Sequence, residues 1–95
     1  MHIVCMQVVW DPEKAAANLA KHGVRFSDAE LVLYDPLAVT VEDEDAEGEQ
    51  RLVTIGMDAV SHILVVVYTV RGDDVRLISA RQATRTERQA YEEGV

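Results

Sequence analysis

A chain of 95 residues with 48% hydrophobic and 27% charged side chains has room for one domain with a single modest core, which excludes the disordered and fibrous classes. Its longest apolar run, residues 63–67, is far short of the ~20 residues of a membrane-spanning helix. The net charge of −8 argues against a generic nucleic-acid binder, yet six of the 17 acids crowd into residues 42–49 and the arginines concentrate between Arg51 and Arg88.

The first strand is expected over residues 3–10, since the apolar N-terminus lacks the basic head and small-residue cleavage site of a signal peptide. Asp11 and Pro12 then start a helix, as N-cap and first helical residue, and Gly23 stops it in the left-handed conformation after His22. Ser27 to Glu30 reads as a capping box for a second helix, stapled by Phe26 and Leu31 and ending near Asp35-Pro36.

An extended segment at residues 37–41, the acidic loop 42–49 and a strand over 51–57 follow. Residues 58–62 make a turn, and 63–70 are β-branched and apolar on both sides, as in a central strand. Residues 71–74 form a hairpin turn, 75–80 return, and a second capping box, Thr84 to Glu87, opens a short helix to Glu93. The order β-α-α-β-β-β-β-α describes a single α+β domain over residues 1–95. It has a small antiparallel sheet, two N-terminal helices and a short C-terminal one, with helices on one sheet face and the other partly open.

Lys14, Asn18 and Lys21 share one face of the first helix, and His22 lies at its end. The ordinary reading is a solvated polar face with a half-buried terminal histidine; the functional one is a phosphate-contacting face ending in an acid–base group. The arginines at 51, 71, 76, 81, 85 and 88 permit a similar pair of readings. In so acidic a chain any exposed guanidinium finds a carboxylate, or several converge on one phosphate that their planar fork fits. Alternation along the last strand puts Arg81 on the side of Val75 and Leu77, at the rim of the apolar face. Neither His2 with Cys5 nor His22 with His62 has metal-ligand spacing, and no nucleophile motif or glycine-rich phosphate loop occurs, so neither metal nor cofactor is expected. A lone cysteine, Cys5, excludes an internal disulfide and fits a reducing cytoplasm. Tyr68 and Tyr91 are expected in the core or at its rim.

Trp10-Asp11, Lys14, Asn18, Lys21-His22-Gly23-Val24 and Phe26 are followed in order by Gly48-Glu49-x-Arg51, Gly56, Arg71-Gly72, Ile78-Ser79-Ala80-Arg81 and Glu87-Arg88. This combination resembles the BrnT family of toxins from bacterial type II toxin–antitoxin systems, over nearly the whole chain. The resemblance implies a RelE-like fold and a cytoplasmic ribonuclease. Its partner would be a BrnA-like antitoxin with a ribbon-helix-helix DNA-binding domain, so that DNA is met only through the antitoxin and no membrane is involved. Metal-free RNA cleavage needs a base for the 2′-OH, an acid for the leaving oxygen and cations for the phosphorane charge. The matched positions offer His22 or Glu49 for proton transfer and Arg51 and Arg81 for the phosphate, with Lys14, Asn18, Lys21 and Arg71 as RNA-binding residues. The competing expectation is a catalytically silent module that binds a basic partner through its acidic loop.

Overall fold

A computed structural model describes residues 7–43 and 50–94; the first half of the expected first strand, the acidic residues 44–49 and with them Glu49 lie outside the described residues. The element order is the expected one: β1 (Gln7–Val9), α1 (Pro12–His22), α2 (Phe26–Val32), β2 (Val39–Glu42), β3 (Arg51–Met57), β4 (Ile63–Arg71), β5 (Asp74–Gln82) and α3 (Arg85–Glu93). The five strands form one sheet in the order β1-β5-β4-β3-β2. Strands β2 to β5 pair antiparallel, while β1 pairs in parallel with β5 and makes the sheet mixed.

Local chemistry explains α1. The Asp11 carboxylate accepts the Glu13 amide at 2.8 Å, Pro12 follows it, and Gly23 closes the helix at φ 70°, its N–H bonded to Leu19 O. Helix α2 starts earlier than the Ser27 box suggested. Its N-cap is Arg25, whose carbonyl accepts from Asp28 and Ala29, with no side-chain cap bond. Burial outweighs capping here: Phe26 is 2% exposed and meets the edge of Trp10, with ring centroids 6.0 Å apart.

Strand partners directly opposite share a face, so the registers sort the sheet. One face carries Leu52, Thr54 and Gly56 of β3, Leu64, Val66 and Tyr68 of β4, and Val75, Leu77 and Ala80 of β5. It meets Val24, Phe26, Ala29 and Val32 in the core. Gly56 is where α2 comes closest, for an added Cβ there would lie 2.8 Å from Val32 Cγ1. The other face carries Arg51, Val53 and Ile55, then Val65, Val67, Thr69 and Arg71, then Arg76, Ser79 and Arg81.

That sorting corrects the expected position of Arg81. Tyr68 opposes Leu77 but Val67 opposes Ser79, so Ile78 is an extra residue that switches the alternation. Beyond it Ala80 faces the helices, and Arg81 lies on the opposite face from Val75 and Leu77.

Helix α3 packs against β3. Its Thr84–Glu87 capping box forms as expected, with both reciprocal bonds present. Tyr91, buried, donates its hydroxyl to Asp35 Oδ2 at 2.6 Å, and the same oxygen accepts the Met57 amide at 2.8 Å. The end of α2, the end of β3 and α3 are thus tied at one carboxylate.

Candidate functional site: arginines on the second sheet face

Arg51, Thr69 and Arg76 lie in one transverse row across β3, β4 and β5, since Arg51 pairs with Thr69 and Thr69 with Arg76. Two adjacent strand spacings separate the outer pair by about 10 Å. Arg71 stands on the same face two residues beyond Thr69, so three arginines cluster at the hairpin end of the sheet. Thr69 in the middle is 2% exposed, while Arg71 and Arg76 are exposed. Arg51 is half-buried, and its Nε is fully buried with no hydrogen-bond partner among the described residues. Acids border the cluster: Asp43 donates its amide to Arg51 O at 2.8 Å, and Asp74 opposes Arg71.

Arg81 is elsewhere. Its register partner is Val65, four residues from Thr69 along β4, or about 13 Å. Its Nη1 and Nη2 donate to the two Glu87 oxygens at 2.8 and 2.9 Å, and Nη1 also reaches Gln82 O at 3.2 Å. The Arg81 bonds, opposed by burial and helped by the Thr84 amide, hold the Glu87 carboxyl down at about 2. Glu87 is the N3 residue of α3, so this fork–fork pair fixes strand end to helix start. The side chain of Arg81 is still 41% exposed, and two of its five N–H groups are left for another acceptor. Between the two arginine positions Val53, Ile55 and Val67 form a half-buried apolar strip.

The first helix divides its expected RNA-binding face. Lys14 and Lys21 are exposed, but Asn18 is only 7% exposed and is no surface residue. Its Nδ2 donates to Val24 O at 3.0 Å and to Ala80 O at 2.8 Å, while its Oδ1 accepts Ala80 N at 3.1 Å. An amide so fully used by backbone has no group to offer RNA, which corrects the expectation for Asn18. It clamps α1 onto β5 one residue before Arg81. His22, half-buried, follows Asn18 by about 6 Å of helix rise. The C-terminal turn with Lys21 and His22 is therefore held at the Arg81 end of the sheet, while Arg51 and Arg71 sit at the hairpin end.

The sequence places Arg76 only among six arginines that either pair with carboxylates or converge on a phosphate, with no role of its own. Its signal was available in the alternation Val75-Arg76-Leu77, which aims it away from the core, but its pairing with Thr69 was not. A groove of about 500 Å³ on the helix side of the sheet is lined by Leu52, Thr54, Tyr68, Val70 and Val75 among others. A hydroxyl chain, Thr40 to Thr54 to Tyr68 at 2.8 Å each, runs beside it, but no basic residue lines it, so it is not a phosphate site. Among the described residues no three His, Cys, Asp or Glu side chains are grouped to hold a metal ion. Among the described residues no helix is long and apolar enough to cross a membrane.

Over residues 10–87 the sequence matches the family described as the ribonuclease toxin BrnT of type II toxin–antitoxin systems. The fold is similar to the crystal structure of the Brucella abortus ribonuclease toxin BrnT, with a TM-score of 0.66 and 30% sequence identity, covering 84% of this chain and 99% of that one. No curated protein matches the chain.

Proposed function

The chain belongs to the BrnT family of ribonuclease toxins of type II toxin–antitoxin systems, and on that premise we propose that it is an endoribonuclease that cuts RNA without a metal ion. The 2′-OH attacks its own phosphate; a base takes the hydroxyl proton and an acid returns a proton to the departing 5′ oxygen. The bond to that oxygen breaks and a cyclic phosphate remains on the upstream fragment. His22 or Glu49 moves the protons, and Arg51 and Arg81 hold phosphate oxygens, with Lys14, Lys21 and Arg71 contributing to RNA binding. The observation that supports this reading is the set of guanidiniums on one sheet face, with the buried Nε of Arg51 unpartnered. A fixed cation in a partly desolvated setting stabilises developing phosphorane charge without reorganising.

The cell-level role follows from the same premise. The protein inhibits translation in the cytoplasm by cutting RNA, and a BrnA-like ribbon-helix-helix antitoxin neutralises it and carries any contact with DNA. Expression of the chain alone in a bacterium should arrest growth, and co-expression of the antitoxin should relieve the arrest. The purified protein should cut RNA equally well in EDTA. Normal growth at a verified high level of soluble protein would remove the toxin reading. Loss of cleavage in chelator, restored by Mg²⁺ or Mn²⁺, would overturn the metal-free mechanism.

A further inference from the structure

We propose that Arg76 and Arg51 form a second backbone-phosphate station, separate from Arg81, so that a single RNA strand crosses the sheet diagonally between the two positions. The proposal rests on the ribonuclease reading and extends it to the path of the substrate. Three observations carry it. Arg51 and Arg76 flank Thr69 in one row on one face. Arg76 is exposed, while the Nε of Arg51 is buried and unpartnered among the described residues. Arg81, displaced by about 13 Å along the strands and two strands from Arg51, has its fork turned onto Glu87.

That separation means the two positions hold different phosphates of one strand. Flat base faces between those phosphates would meet the half-buried strip of Val53, Ile55 and Val67. A duplex would keep its bases stacked inside and leave this strip unused, so the ligand is single-stranded. The bordering Asp43 and Asp74 lower the net charge of the row, which favours a short path over a broad electropositive surface.

The test compares wild type with Arg76→Gln, Arg76→Lys and Arg25→Gln, the last removing an exposed charge at the start of α2. The probes are a single-stranded RNA of about ten nucleotides, within the usual span of single-strand sites, a dinucleotide, and the DNA analogue of the longer strand. The analogue has no 2′-OH to attack and reports binding alone. Arg76→Gln should weaken binding of the analogue by about fivefold or more, as expected for one lost charge-assisted contact. It should also flatten the salt dependence, log K against log salt, by about 0.7, the value for one phosphate of a single strand. Because Arg51 in the same row is proposed to hold the phosphate under attack, kcat/KM should fall for the dinucleotide as well as for the longer RNA, and Arg76→Lys should recover the salt slope. Unchanged affinity and slope in Arg76→Gln, or a loss no larger than in Arg25→Gln, would overturn the station. If wild type cuts no RNA but binds the analogue in an Arg76-dependent way, the station stands and the ribonuclease reading falls.

Discussion

Asn18 and Ala80 hold each other by both halves of an amide: Asn18 Nδ2 donates to Ala80 O at 2.8 Å and Ala80 N donates to Asn18 Oδ1 at 3.1 Å. The residues are 62 positions apart, and the pair fixes the only direct polar link described between the middle of α1 and β5. It fixes the middle of α1 to the strand one residue before Arg81, so the clamp acts on the architecture without belonging to the chemistry.

Asn18→Ala should therefore act on stability. It leaves the Val24 and Ala80 carbonyls and the Ala80 amide without partners in the interior, each a loss of ~1–3 kcal/mol before relaxation. A total of about 3 kcal/mol should lower Tm by on the order of 15 °C. Asn18→Asp keeps the acceptor but sets a carboxylate oxygen against the Val24 and Ala80 carbonyls in the interior, and should lose at least as much. Thermal melts of both variants give the answer, and a Tm for Asn18→Ala within about 3 °C of wild type would rule the clamp out as a stabilising contact.

Gly56→Ala tests the contact between α2 and the sheet. The new methyl would lie 2.8 Å from Val32 Cγ1, 3.1 Å from Ala38 Cβ and 3.2 Å from Val32 O. Because one neighbour is helix backbone, α2 must shift, and a cost of ~1–3 kcal/mol in urea unfolding is expected from overpacking. An unchanged midpoint would show that the helix yields freely at that point.

Glu87 links stability to acid. Its folded pKa of about 2 lies below the ordinary 4.5, chiefly through the hydrogen bonds from Arg81. A depressed folded pKa means the stabilisation is complete above about 4.5 and is lost as pH falls toward about 2. Glu87→Gln should cost ~1 kcal/mol at neutral pH, given the screening of a partly exposed pair. Its stability should also decline less steeply than wild type through the acid range. Parallel acid limbs in the two proteins would show that the pair contributes nothing to folding.

Arg81→Lys keeps the charge but loses the planar fork. We expect RNA cleavage to fall by at least roughly tenfold, equivalent to about 1.4 kcal/mol of transition-state stabilisation. A lysine also cannot span both Glu87 oxygens, so a stability loss of up to about 1 kcal/mol accompanies it. Cleavage rate and Tm measured on one preparation separate the two effects. A variant that loses stability yet cuts at the wild-type rate would place Arg81 in the architecture alone.

The amino-acid sequence by itself determined the local events. The Asp11-Pro12 start and Gly23 stop of α1, the Thr84–Glu87 box of α3 and the hairpin at residues 71–74 each depend on neighbours within a few positions, and each is found where expected. The motif order from Trp10 to Arg88 was likewise legible, and it pointed to the family that residues 10–87 match. What only the tertiary structure decided depends on partners far along the chain. Asn18 reads as one more polar residue between two lysines until Ala80 is seen to use its whole amide. Arg81 reads as a core-side neighbour of Leu77 until pairing with β4 leaves Ile78 over and turns the strand. Helix α2 forms at Arg25 and not Ser27 because Phe26 is needed in the core, and β1 runs parallel to β5 because a first strand can reach any edge. Arg76 acquired meaning the same way: its side is set by a two-residue alternation, but its place beside Arg51 by a register that long-range pairing alone selects.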